Sequence, residues 1–100
     1  MTSVRARIAF ASTEPALTGH FPGHPVVPGA LLLTDIAAMV EQHWKSPVVR
    51  VRLAKFQRPV VADTDYDVQL SQRTDGRIDF RCEGPGGTMA TGAFDLRSDP

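Results

Sequence analysis

The sequence predicts a single α+β domain in which one long helix is wrapped by a curved antiparallel sheet. Three observations carry this reading. Apolar residues alternate with polar ones near the start of the chain and again through its second half, which is the period of a half-buried strand. Between them, from Gly29 to about Trp44, the period becomes helical, and it does so only once. A chain of 100 residues holds material for one core, so one domain is expected over 1–100.

Each element follows from local pattern. In "VRARIAF", Val4, Ala6, Ile8 and Phe10 alternate with Arg5, Arg7 and Ala9, predicting a first strand. On the helix, Thr34, Asp35, Ala38, Glu41, Gln42 and Lys45 share one stripe, while Leu31, Leu32, Leu33, Ile36, Ala37, Met39, Val40 and Trp44 fill the rest. So much apolar surface predicts that most of the helix is buried. Pro28 suits the residue before or at the first turn, and Ser46-Pro47 ends the helix because proline disfavours helical geometry in the residue ahead of it. Strands follow in "VVRVRLAKF" (48–56), in "YDVQLSQ" (66–72), at Ile78, Phe80 and Cys82, and at Ala90, Gly92, Phe94 and Leu96. Asp75-Gly76 and "EGPGG" supply the turns. The expected order is strand, helix, then four strands in an antiparallel meander.

A helix that is apolar on most sides needs cover on most sides, and a sheet curled around it gives the hot-dog architecture. One such sheet leaves edges unpaired and part of the helix uncovered. Pairing two copies across a two-fold axis solves both problems, so a homodimer is expected.

Composition narrows the function. The hydrophobic share of 42% and charged share of 22% place the chain among folded globular proteins, not disordered or fibrous ones. Eleven basic and eleven acidic residues give no net charge, which argues against a general nucleic-acid binder. The lone Cys82 forms no internal disulfide and no zinc signature, and its strand position reads as core packing. Apolar runs at 30–33 and 36–40 fall short of the roughly 20 residues that span a bilayer. "MTSVRARIAF" lacks the apolar core of an export signal, so a reducing cytoplasm is the expected setting.

The segment "GHFPGHPVVPGALLL" resembles the active-site segment of the 3-hydroxyacyl-acyl-carrier-protein dehydratases of the hot-dog superfamily, and "KFQRPVVADTDYDVQL" resembles that family's second motif. The resemblance runs from about Arg5 to Leu96. It implies syn elimination of water from a 3-hydroxyacyl thioester to give a trans-2-enoyl thioester. His20 would be the base at the α carbon, a role that an imidazole titrating near neutrality suits. Gly29 falls where the family holds the thioester carbonyl on a backbone N–H at the helix start. There, unpaired N–H groups and the helix dipole stabilise enolate-like charge. Phe21 and Pro28 would line and fix the lead-in. The implied partner is an acyl carrier protein bearing the substrate on its 4'-phosphopantetheine arm, the acyl chain lying in a tunnel along the helix between two subunits. No resident cofactor or metal is expected.

Two positions depart from the family pattern. The family places Glu or Asp fourteen residues after the histidine, which is Thr34 here, and the carboxylate stands one step on at Asp35. Either Asp35 supplies the acid from a differently wound helix start, or Thr34 occupies the place with only a hydroxyl. The second motif's Pro-Gly-Asp turn reads Ala62-Asp63-Thr64, which puts the loop shape in question. His24 reads as a surface loop position and His43 as a cation near the helix end. Lys45, Arg50, Arg52, Lys55 and Arg58 form a basic run that could steer an acidic carrier. A hot-dog thioesterase and a non-catalytic hot-dog subunit remain the rival readings, the second kept open by Thr34.

Overall fold

The alternation in the first residues becomes β1 (Ser3–Ile8), which is two residues shorter than its apolar pattern: Phe10 lies beyond the strand but is buried all the same. The computed structural model describes residues 3–13 and 26–97. Within them follow α1 (Gly29–Trp44), β2 (Val48–Phe56), β3 (Tyr66–Gln72), β4 (Ile78–Gly84) and β5 (Gly87–Leu96). The five strands form one antiparallel sheet in the order β1-β3-β4-β5-β2. The helix and sheet are the predicted architecture, with one correction. Only β3, β4 and β5 make a meander; β2 pairs with β5 and forms an edge. Sequence neighbours pair by default, but the segment 57–65 carries the chain from one edge to the other side of the sheet.

Registered pairs assign the two faces. Val4, Leu70 and Phe80 lie opposite one another, as do Ala6, Val68 and Cys82, and these side chains point to the helix. Gly92 lies opposite Phe80, where a Cβ would collide with the Leu53 carbonyl and the Phe80 ring. The outward positions hold Arg5, Gln69, Arg81 and Thr91 in one row and Ser71, Asp79 and Ala93 in the next.

Only Leu32, Ile36 and Val40 of the helix are fully buried, at about 2 kcal/mol of transfer free energy each. Leu31, Leu33, Ala37, Met39 and Trp44 are half-buried against that core, so the expectation that most of the helix is buried holds for one stripe and not for its flanks. Pro28 precedes the first turn with φ −59°, already close to helical φ. At the other end Lys45 turns into the left-handed region (φ 57°), its N–H bonding the Glu41 carbonyl at 2.9 Å. The Glu41 carboxylate then accepts from the Val48 N–H at 2.7 Å, tying helix end to β2.

Strand β2 departs most from its pattern. Register shifts between Val48 and Arg50 and between Val51 and Leu53 break the alternation. They leave Val49, Val51, Leu53 and Phe56 between 45% and 56% exposed along the sheet edge.

Both hairpins form where the turn residues stand. Gly76 (φ +89°) closes the first with its N–H on the Arg73 carbonyl at 2.9 Å, and Gly87 (φ +115°) follows Pro85-Gly86 in the second. Arg58 donates to the Gly86 carbonyl and so fastens this second turn to the chain leaving β2.

Cys82 has no exposed surface and lies between Val68 and Ala90. Burial first, then the nearby carboxylates of Asp67 and Glu83, push its thiol up to about 11. The folded chain therefore keeps this proton to higher pH than the unfolded chain, whose thiol ionises near about 8.5. The stability this confers is complete below that value and is lost as pH rises towards about 11. Native protein at pH 8 should react with a disulfide reagent only as fast as it unfolds; rapid stoichiometric labelling without denaturant would contradict this packing.

Candidate functional site

The helix start is built by two chain segments that meet from far apart in sequence. Val26 forms an isolated antiparallel bridge with Val61, and the Val27 N–H donates to the Val60 carbonyl at 2.7 Å. The stretch before the helix is thus paired to the stretch after β2. Tyr66, which is buried, completes the junction by accepting the Val61 N–H on its hydroxyl at 2.9 Å.

Gly29 then sits under the Phe56 ring. A Cβ at Gly29 would fall 2.8 to 3.1 Å from the ring's outer atoms, closer than carbon atoms pack, so glycine is what allows the aromatic to lie on the helix start. The Pro28 carbonyl accepts the N–H groups of Leu31 and Leu32 at 3.0 and 3.1 Å. Among the described residues no side chain caps this end, and no acidic residue stands in the first turn. Among the described residues, the Gly29 and Ala30 N–H groups have no acceptor. A helix start of this kind offers donors and partial positive charge to an oxygen that gains negative charge.

Thr34 and Asp35 lie about one turn further on and differ in surroundings. Thr34 is exposed, and its hydroxyl donates back to the Ala30 carbonyl at 2.8 Å, an arrangement that occupies the hydroxyl proton within its own helix. Asp35 is half-buried between Leu31 and Met39, which precede and follow it by four residues on the same flank. Among the described residues its carboxylate takes no hydrogen bond or ion pair.

The turn of the second motif, Ala62-Asp63-Thr64, is tied to the segment after β1. Asp63 adopts φ 58°, a left-handed conformation that Asp tolerates better than most residues, so it stands in for a glycine. Its N–H bonds the Phe10 carbonyl at 2.7 Å, and its carboxylate accepts the Ser12 N–H at 3.1 Å.

The structure brings Pro28, Gly29, Thr34 and Asp35 together on the first two turns of α1. His20, Phe21 and His24 lie outside the described residues. Phe56 and Tyr66 were missed as parts of the site, although "KF" and "DY" stand in the second motif; their roles depend on a junction across some thirty residues, which local pattern does not carry. The basic run does not form one patch. Lys45 caps the helix end, Arg58 is held by the Gly86 carbonyl, and Arg50 and Arg52 each bond Asp95 at 3.0 Å. The Arg52 hydrogen bond chiefly, aided by both arginine charges, holds the Asp95 carboxyl below its ordinary range. Among the described residues no three His, Cys, Asp or Glu side chains gather as a metal site, and no helix is long and apolar enough to cross a membrane.

Comparison with known proteins gives one consistent result. The family model for the ApeI-like dehydratases, described as ApeI dehydratase, matches residues 1–93. A 3-hydroxyacyl-[acyl-carrier-protein] dehydratase FabZ of Thermus thermophilus is 42% identical over an alignment of 100 residues, covering 84% of this chain and 70% of that protein. The enzyme of the same name from Aliarcobacter butzleri is 30% identical over 83 residues, covering 69% of this chain and 56% of its own length. The chain spans about two-fifths to two-thirds of the length of the first three curated relatives it matches. Among solved structures, the dehydratase heterocomplex ApeI:P of Xenorhabdus doucetiae superposes with a TM-score of 0.79 at 19% identity, covering 96% of this chain and 88% of that one. The (R)-hydratase from A. caviae involved in PHA biosynthesis gives 0.75 at 18% identity, covering 98% and 95%. Both have the fold seen here. With its two motifs joined at the start of a single wrapped helix, the chain belongs to the ApeI-like dehydratase family.

Proposed function

We propose that this chain eliminates water from a 3-hydroxyacyl thioester presented by an acyl carrier protein, giving the trans-2-enoyl thioester. The observation that carries the reading is the uncapped helix start at Gly29, walled by Phe56 and pinned by the Val26–Val61 bridge, in a chain of this family. A thioester oxygen set at the Gly29 N–H would gain charge where the helix offers donors, which lowers the barrier to removing the α proton. His20 takes that proton as base, and Phe21 and Pro28 line the approach. Asp35 protonates the departing hydroxyl from the partner subunit. The engaged hydroxyl of Thr34 favours Asp35 over Thr34 for this role. The pathway is fatty-acid or polyketide-type chain building, in the cytoplasm.

The site is shared between two copies in this reading. Edge strand β2 carries Val51, opposite the buried Phe94, and Phe56, over Gly29, each about half exposed, beside half-buried helix flanks. An unpaired edge lined with apolar side chains favours pairing with a second chain, and a homodimer through β2 would cover it.

Two sets of variants test these readings. Carrier-bound substrate and product are followed by mass spectrometry, with folding checked by circular dichroism. His20→Ala and Asp35→Asn should each lower turnover about a hundredfold or more, while Thr34→Ala stays within about threefold of the parent. If Thr34→Ala is the damaging change and Asp35→Asn is silent, the acid is misassigned. If neither His20→Ala nor Asp35→Asn alters any activity while carrier binding persists, the non-catalytic subunit is correct; release of free acid would indicate a thioesterase. For the interface, Val51→Glu should convert a dimer to a folded monomer in light scattering; an unchanged dimer mass would place the contact elsewhere.

A further inference from the structure

The helix face of the sheet accounts for the proposed catalysis, but the outward face has a character of its own. In a chain of zero net charge, cations collect there. A groove of about 640 Å³ crosses β2, β5, β4 and β3, with Arg52, Arg73, Arg77 and Arg81 around it and Asp79 as its carboxylate. Its floor is partly apolar: Leu53 is 52% exposed, and Ala93 and Gly92 lie alongside. A second groove shares Arg52 and Arg77, adds Arg50 and Arg97 toward the helix's C-terminal end, and holds the carboxylates of Asp75 and Asp95.

The arginines are held, yet not neutralised. Asp79 is shared by Arg73 at 2.9 Å and Arg77 at 3.6 Å, and Asp95 is shared by Arg50 and Arg52. Asp75 also lies 3.9 Å from Arg77, and across the two grooves six arginines stand against three carboxylates, so the surplus charge is positive. Among the described residues Arg77 Nε makes no hydrogen bond, lying 3.6 Å from Asp79 and 3.9 Å from Asp75, and Arg81 has no ion pair. Ordered guanidinium forks with unused donors match carboxylates well and lose little freedom on binding them. The groove is open, and it sets an exposed leucine among its arginines. That combination of apolar centre and arginine surround is the composition of a protein-binding surface and not of an enclosed small-anion site.

We infer that this outward groove docks an acidic polypeptide segment of a partner protein, one carrying carboxylates around an apolar residue that seats on Leu53. The face is turned away from α1, and the groove continues toward the helix end opposite Gly29. A partner bound there leaves the approach to the helix start open. Docking is thus separate from substrate presentation and stands whether or not the chain is a dehydratase.

The probe is a synthetic peptide rich in Glu and Asp with a leucine in each turn, titrated into the full chain and followed by amide and arginine side-chain NMR. Inorganic pyrophosphate serves as the small-anion comparison. Shifts should centre on Arg52, Leu53, Arg77 and Arg81, and affinity should fall about tenfold between roughly 0.05 M and 0.3 M salt. Arg81→Glu should weaken binding about tenfold, and Leu53→Ser severalfold, while Lys45→Glu, the same charge change outside the groove, leaves it unaltered. Arg81 is chosen because it holds no partner whose loss would disturb folding; Arg77→Gln is the second variant. Equal loss in Lys45→Glu, shifts spread over the whole surface, or no binding at low salt would overturn the inference. So would saturation of the same residues by pyrophosphate with no effect of Leu53→Ser, which would make the groove a small-anion site.

Discussion

The junction between residues 26–29 and 56–61 is the constraint on which the rest depends. A helix of sixteen residues with only three fully buried side chains does not fix its own start. The bridge from Val26 to Val61, the bond from Val27 to Val60 and the Phe56 ring on Gly29 do so from outside. Tyr66 then joins that junction to β3. Because the segment is paired, the first-turn N–H groups are aimed at a defined point and need no side-chain cap. An uncapped helix end costs stability, and among the described residues nothing occupies this one, which is what the proposed role for a ligand oxygen requires.

The same geometry explains why a lone copy looks unfinished. Its sheet ends on one side in β2, whose register shifts turn apolar side chains outward, and the helix flanks on either side of Leu32, Ile36 and Val40 are half-buried. On the outward face, by contrast, charge is ordered by shared carboxylates. One face and edge suit an apolar match to a second copy, and the other suits an acidic partner.

Much of the fold was legible in the sequence because period and turn chemistry are local. Gly29–Trp44 has the helical period, Asp75-Gly76 and Pro85-Gly86-Gly87 stand at the turns, and the helix-facing alternation of β3 and β4 is unbroken. Pairing was less legible. Nothing in "VVRVRLAKF" says that it joins β5 instead of β3, and its alternation hides two register shifts. At the candidate site, the motif singles out Gly29, Thr34 and Asp35, but the proposed preference for Asp35 over Thr34 rests on a hydroxyl bond to Ala30 that composition does not encode. The left-handed Asp63 was likewise not legible, although Asp is among the residues that tolerate that conformation.

The central claim is that the close contact of Gly29 with Phe56 keeps the helix start accessible to a thioester. Gly29→Ala tests it directly, because alanine keeps the N–H and adds only a methyl group. The ring it would meet is half exposed and can swing aside, so folding stability should change by no more than about 1 kcal/mol. Turnover should nonetheless fall about tenfold or more, as the displaced ring and the new methyl crowd the carbonyl's position. A Gly29→Ala variant that is equally stable and equally active would contradict the claim.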